Sequence, residues 1–283
     1  MGSVAVVTDS TADLPRDLAE ELGIRVVPLS VTFGTETFIS GVSIDPPRFY
    51  ERLVQSQQLP TTSQPTPAWF EEAYADCVDD GHPTAVSLHV SAALSGTVSL
   101  ARDRAQRAEL DVEVLDTRLV GAPLGLAAMA AQRAANEGGD VAAVVRAAER
   151  VAGQVTSLLV VDTLDYLRRG GRLSGTQAMV GNMLRVKPLL HLVDGRVEVK
   201  ERTRTWSRAL DRVADLVAET AQGGPVDVVV AHAIAEERAA ELWERLGERV
   251  EIAGRLETMI GPVVGTHVGP GAVSVAAVPA DAD

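Results

Sequence analysis

Along the first half of the chain, short β-branched runs alternate with stretches of helical periodicity. Val4–Thr8 is apolar throughout most of its length, as expected of a parallel strand buried on both faces. Asp13 then precedes Pro15 and a helical pattern to Leu22, so Asp13 is a candidate N-cap with proline in the first turn. Ile24–Phe33 predicts a second strand. Helices are predicted from Asp45-Pro46-Pro47 to about Gln55 and from Thr66-Pro67 to near Gly81. Thr84–Val90 predicts a strand, Thr97–Arg107 a helix and Val112–Leu115 a strand. Two Ala-rich helices follow, with Gly138-Gly139 as stop and Asp140 as cap. Such alternation predicts an α/β domain with a parallel, Rossmann-like sheet covered on both faces.

The pattern changes after Val155–Val161, a further strand. Leu189–Val193 and Arg196–Lys200 flank Asp194-Gly195, the signature of a two-residue hairpin. A helix from Trp206 to Ala221, a strand at Val226–Ala231, a helix at Glu236–Leu246 and a strand at Ala272–Val278 complete the chain. A mixed or antiparallel sheet with helices is therefore expected in the second half. The expected domains are residues 1–156 and 157–283. No low-complexity linker separates them, so they are expected to pack closely.

Composition narrows the function classes. The chain has 283 residues, 46% of them hydrophobic, enough to bury a sizeable core. A formal net charge of −13 disfavours nucleic acid and anionic membrane surfaces as partners. The longest apolar stretch, Val120 to Ala131, is interrupted by Gly121, Pro123 and Gly125 and is too short to span a bilayer. Cys77 is the sole cysteine, so no internal disulfide or Cys-based metal site is expected. Met1 leads directly into a strand-like run, and a soluble, cytoplasmic protein is expected.

Against this acidic background, several polar loops stand out. Thr8-Asp9-Ser10-Thr11-Ala12-Asp13 ends the first strand, where α/β proteins bind ligands, although Asx turns alone would account for it. Pro60-Thr61-Thr62-Ser63-Gln64-Pro65 is stiffened at both ends and leads into a helix whose N-terminus favours an anion. Thr66 is a sufficient cap, which leaves Thr61, Thr62 and Ser63 without a capping role. Ser95-Gly96-Thr97 offers hydroxyls at a second helix start, with Gly96 permitting close approach of a ligand. Together these two loops predict one anion-binding site.

The second half contributes cations. Leu167-Arg168-Arg169-Gly170-Gly171-Arg172 precedes another Ser-Gly-Thr helix start at Ser174-Gly175-Thr176, and Lys200-Glu201-Arg202-Thr203-Arg204-Thr205 follows the hairpin. Arg168 and Arg169 read as a solvated face. Arg172 and Arg204 are the better candidates for gripping an anion through a fork of donors. His267, bracketed by Gly265, Gly269 and Gly271, is a candidate to donate to a bound acid, whereas His82, His89, His191 and His232 read as structural. The chain contains no phosphate-loop motif, no His-Glu-x-x-His, no Gly-x-Ser-x-Gly and no metal-ligand spacing, and no cofactor is expected. The set suits holding an anion. An open alternative is a self-sufficient phosphotransferase or hydrolase using Ser95 and His267 as nucleophile and base.

Val6 through Leu14, Thr62-Ser63-Gln64-Pro65, Leu94-Ser95-Gly96-Thr97, Leu167 through Arg172 and Gly265 through Gly271 resemble, in order, the motifs of DegV-family proteins. The resemblance implies two α/β domains with a long-chain fatty acid, such as palmitate or oleate, in a buried tunnel between them. It also implies presentation of the carboxylate to a separate ATP-binding fatty acid kinase subunit, which phosphorylates it to an acyl phosphate. Thr62 and Ser95 match the carboxylate-contacting hydroxyls of that family, with Ser63 the neighbouring alternative and Gly96 and Thr97 completing the loop. His267 matches the head-group histidine. Arg172 and Arg204, with Arg202 as the neighbouring alternative, match arginines of phosphotransfer or kinase docking. Aromatics make up only 4% of the chain, so a tunnel would be lined by aliphatic residues.

Overall fold

The computed structural model of the chain describes residues 4–174 and 186–280. Four parallel strands form the first sheet: β1 (Val4–Asp9), β2 (Ile24–Val27), β6 (Thr84–His89) and β7 (Asp111–Asp116), in the order β2-β1-β6-β7. Helices α1 (Arg16–Leu22), α2 (Pro46–Gln55), α3 (Pro67–Asp79) and α4 (Thr97–Ala105) connect them. The Ala-rich helices are α5 (Ala122–Asn136) and α6 (Val141–Gln154), and Asp140 caps α6 by accepting from the Ala143 amide at 2.8 Å.

The second large sheet has six strands: β8 (Thr156–Val160), β9 (Lys187–Val193), β10 (Arg196–Thr203), β11 (Val226–His232), β12 (Ile252–Met259) and β13 (Val273–Pro279). Their order is β10-β9-β8-β13-β11-β12. Only β11 and β12 run parallel; the other pairs are antiparallel, so the sheet is mixed as expected. Asp194 and Gly195 both adopt positive φ in the β9–β10 turn, as a two-residue hairpin of this hand requires. Helices α7 (Asp165–Arg169), α8 (Trp206–Ala221), α9 (Glu236–Gly247) and α10 (Pro262–Val268) complete this half.

Two expectations are corrected. Ile24–Phe33 is not one strand: Pro28, which has no amide hydrogen, separates β2 from β3 (Ser30–Phe33). β3 leaves the parallel sheet and builds a small antiparallel sheet with β4 (Glu36–Ile39) and β5 (Thr61–Ser63), in the order β4-β3-β5. The Leu29 amide donates to Ser10 Oγ at 3.0 Å where the chain changes sheet. Asp13 does not cap α1, which begins after Pro15. Its left-handed backbone (φ 52°) turns the carboxyl inward, to accept from the Gly261 amide at 2.9 Å.

The layers run helix, sheet, helix, sheet, helix. Ala5, Val7 and Ala85 on one face of the first sheet pack against Phe70 and Tyr74 of α3. Val6, Val86 and Leu88 on its other face join α5 and α6. The same cluster continues to Leu190, Val229, Ala231 and Ala276 of the six-stranded sheet. That sheet's outer face packs on Leu210, Val213 and Val217 of α8 and on Leu242 and Leu246 of α9. α5 touches β1, β11 and β13, so one helix is sandwiched between two sheets. A helix buried on opposite sides has no polar face, and ten of its fifteen residues are buried, mostly alanine and leucine.

Small side chains set the spacing. A Cβ on Gly125 would lie 2.7 Å from the Ala12 carbonyl oxygen, whereas one on Gly153, late in α6, meets nothing within 4 Å. Gly125→Ala is therefore expected to lower unfolding free energy by about 1–3 kcal/mol despite the better helix propensity of alanine. Gly153→Ala is expected to raise it by about 0.5–1 kcal/mol. Urea denaturation of the two variants beside the unmodified protein checks both signs.

Candidate functional site

Strand β1 and strand β6 end side by side, and the segments that leave them turn toward the six-stranded sheet. This is where a parallel α/β sheet presents ligand-binding loops. A narrow cavity lies there, with about 970 Å³ of empty space including its mouth. Thr62, Ser63, Gln64, Ser95, Arg172 and His267 are among its polar residues. Elsewhere its walls include Val120, Leu159, Leu190, Leu192, Val197 and Val263. A polar cluster on a mostly aliphatic cavity suits an amphiphile with a small head and a flexible chain.

Three elements from distant parts of the sequence build the polar end. β5 hydrogen-bonds to β3 with Thr62 opposite Val31, which fixes the strand's facing. Successive strand residues point to opposite faces, so Thr62 diverges from Thr61 and Ser63. Thr62 Oγ1 lies 3.0 Å from His267 Nε2 across 205 residues of sequence. His267 sits in the last turn of α10, the segment expected to be a constrained loop. Pro262 opens that helix and Gly269 follows it, punctuation that also reads as a short helix. Ser95 precedes α4; its hydroxyl lies 2.8 Å from Thr97 Oγ1, and Thr97 is fully buried. Gly96 lies against the Gln64 side chain, since a Cβ there would collide with Gln64 Oε1. The two hydroxyl loops thus meet on one cavity.

Arg172 holds the second half against this site. Its Nε donates to the Leu94 carbonyl at 3.3 Å and its Nη1 to the Gly170 carbonyl at 2.7 Å. Burial lowers the His267 pKa to about 4, and the nearby Arg172 charge pushes the same way. A neutral imidazole has one N–H, and Nδ1 has no hydrogen-bond partner among the described residues. With the proton on Nε2, the imidazole donates to Thr62 Oγ1 and leaves the Thr62 hydroxyl hydrogen free for a ligand. This arrangement can supply hydrogen bonds and positive charge to an anion, and among the described residues the histidine has no carboxylate partner.

Other expected residues lie elsewhere. Arg202 on β10 and Arg204 just beyond it are exposed and do not line the cavity. The Ser174-Gly175-Thr176 helix start falls partly outside the described residues. Ser95 is not hydrogen-bonded to His267, whereas a serine–histidine–carboxylate chain does occur at Ser87, His89 and Asp9. All three are wholly buried, and Tyr74 covers Ser87 with a hydroxyl contact of 3.0 Å, so no substrate reaches that serine. His191, read from sequence as structural, lines the cavity together with Ser157. Asp13 also lines it. Burial raises the Asp13 pKa well above the usual carboxylate range; the Gly261 amide opposes this and the Asp9 charge adds to it. No spacing rule marks these residues, because strand pairing and chain reversals bring them to the wall.

The sign of the His267 shift gives a pH signature. Its folded pKa of about 4 lies below the unfolded value of 6.5, so the unfolded chain binds the proton first. The resulting stabilisation is complete above 6.5 and is lost as pH falls through about 4. His267→Gln keeps a hydrogen-bonding side chain but does not titrate. Urea midpoints measured across that window are expected to fall less steeply in the variant; equal slopes would show that His267 is not the group responsible.

Comparison with known proteins agrees with this architecture. The DegV family model, described as an uncharacterised protein family, matches residues 3–280. A DegV domain-containing protein of Streptomyces coelicolor is 43% identical over 273 residues, covering 96% of this chain and 97% of its own. The protein DegV of Bacillus subtilis is 34% identical over 276 residues, covering 96% and 98%. Among solved structures, a DegV family protein from Thermus thermophilus, described for its fatty acid binding, superposes with a TM-score of 0.92 at 33% identity, covering 99% of this chain and all of that one. DegV of Bacillus subtilis, described as a fatty acid binding protein, gives 0.89 at 33% identity with the same coverage. With the family model spanning nearly the whole sequence, the chain belongs to the DegV family.

Proposed function

We propose that the protein binds a long-chain fatty acid, such as palmitate or oleate, with its carboxylate at Thr62 and Ser95 and its acyl chain in the aliphatic cavity. The observation that carries this reading is the meeting of Thr62 and Ser95 on one cavity whose walls are mostly aliphatic. In this reading Ser63, Gly96 and Thr97 shape the head-group loops, and His267 orients Thr62. Residues 1–156 and 157–283 act as two domains that close on the ligand. A carboxylate removed from water needs several donors, and two hydroxyls beside an arginine supply them. Burying about 14 methylenes at ~0.8 kcal/mol each contributes roughly 11 kcal/mol of gross driving force, before ordering costs.

The protein then presents the carboxylate to a separate ATP-binding kinase subunit. The carboxylate oxygen attacks the γ-phosphorus of ATP, the bond to the bridging oxygen breaks, and acyl phosphate and ADP result. Arg172, already at the cavity, stabilises the charge that grows on the transferred group. Arg204 and Arg202, exposed beyond the hairpin, are the docking contacts for an acidic face of the kinase. The family resemblance supports this step, and so does the absence of a phosphate-loop motif from the sequence.

Organic extraction of the purified protein, followed by mass spectrometry, is expected to yield long-chain fatty acid. A protein that is empty and also fails to take up added palmitate or oleate would overturn the reading. Thr62→Ala and Ser95→Ala are each expected to weaken fatty-acid binding by about 1.5–3 kcal/mol, roughly ten- to a hundredfold, measured by displacement of a fluorescent acyl probe. Turnover by the protein without a kinase partner would instead favour the self-sufficient enzyme. With a purified ATP-binding kinase subunit, Arg204→Ala is expected to raise the concentration needed for half-maximal ADP release while leaving fatty-acid affinity unchanged.

A further inference from the structure

A carboxyl group on the wall of a lipid cavity calls for a partner. Asp13 lines the cavity and is 7% exposed, and its Oδ2 has no hydrogen-bond partner among the described residues. The rest of the residue is held from the opposite half of the molecule. Oδ1 accepts from the Gly261 amide at 2.9 Å, and the Asp13 carbonyl accepts from Thr258 Oγ1 at 3.0 Å. These bonds and the left-handed backbone leave the carboxyl little freedom to turn elsewhere. Oδ2 lies beside Gly121, another cavity residue, where a Cβ would sit 3.5 Å away. No cation is paired with Asp13 among the described ion pairs, and burial favours its neutral acid. A neutral acid whose Oδ1 already accepts carries its proton on Oδ2, as a donor.

Its distance from the head group is set by α10. Gly261, which holds Asp13, immediately precedes the helix, and His267 lies in its last turn. Six residues of helix separate them by roughly 9 Å along the axis. A chain whose carboxylate is at Thr62 therefore passes Asp13 well beyond its first carbons. Leu29, Val120, Ile260 and Val263 line the cavity with it, and Thr11, Ser157, His191 and Ser274 are its other polar residues away from the head-group loops.

We propose that Asp13 is a polar subsite within the lipid cavity, taking an oxygen carried part-way along the acyl chain, so that mid-chain hydroxy, keto or epoxy fatty acids are preferred ligands. The subsite rests on the fatty-acid reading and adds a substrate class to it. With a plain alkyl chain Oδ2 stays unpartnered; with a mid-chain hydroxyl it donates to the ligand oxygen, a difference of about tenfold in affinity.

Delipidated protein is titrated with stearate, 10-hydroxystearate and 2-hydroxystearate. The unmodified protein is expected to bind the 10-hydroxy acid about tenfold more tightly than stearate, and the 2-hydroxy acid no more tightly. Asp13→Gly, which accepts the left-handed backbone, is expected to abolish the preference, so that the 10-hydroxy acid and stearate bind alike. Asp13→Asn, which retains an acceptor for Gly261 and a donor toward the ligand, is expected to preserve most of it. Equal or tighter binding of stearate by the unmodified protein, or a preference that survives Asp13→Gly, overturns the subsite. Should the glycine variant not fold, the two hydroxy acids compared on the unmodified protein decide alone. If none of the three acids binds, the fatty-acid reading itself falls and the subsite with it.

Discussion

Removing an ionised carboxylate from water costs several kcal/mol unless protein donors replace the solvent. Asp9, fully buried at the end of β1, meets that condition. Its Oδ1 accepts from the Thr11 amide at 3.0 Å and the Thr11 hydroxyl at 2.6 Å; its Oδ2 accepts from the Val90 amide at 2.9 Å and lies 3.0 Å from His89 Nδ1. Burial alone would raise its pKa, but His89, Thr11 and Val90 together lower it. This one group ties the exit of β1 to the exit of β6. Thr11 and Val90 both line the cavity, and the two segments continue to Asp13 and Ser95. The geometry of the site thus begins at a residue that does not line the cavity.

The polar end of the cavity is assembled on that frame from the opposite half. Arg172 reaches the Leu94 carbonyl, Gly261 reaches Asp13, and His267 reaches Thr62. Each contact crosses the junction between the two halves of the chain. Neutrality of His267 matters here, because a charged imidazole would be buried and repelled by the nearby Arg172 charge. The site is consequently a set of hydrogen bonds directed by packing, with the guanidinium as its nearby fixed charge.

Much of this was legible in the sequence where burial imposes a period. Val4–Thr8, Thr84–Val90 and Trp206–Ala221 follow it closely, because each packs a regular face on a core. β5 was not, since three polar residues carry no hydrophobic alternation and pair with β3 only through the backbone. α10 looked like a loop because its glycines admit Phe49 and Tyr50 close to the backbone: a Cβ on Gly265 would lie 2.6 Å from the Tyr50 hydroxyl. The two hydroxyl loops and His267 were picked out by residue type, and the structure brings them to one cavity. The sequence makes Asp13 a cap candidate because capping is what an Asp before a helix usually does. Only the chain reversal at φ 52° and a partner 248 residues away reveal otherwise.

Helix α5 has a consequence for how such a molecule can be divided. It belongs by sequence to the first half, yet Ala128, Ala131 and Ala135 share one core cluster with Ala231 and Ala276 of the six-stranded sheet. A cut near residue 156 would strip one side of this helix and leave a greasy surface facing water, with no charged residue on the helix before Arg133 to keep it in solution. The halves are therefore poor modules for recombination. Shuffling one against a relative's counterpart would have to carry matching alanines across the seam, and the seam, more than either sheet, limits how far two such sequences can diverge and still exchange parts.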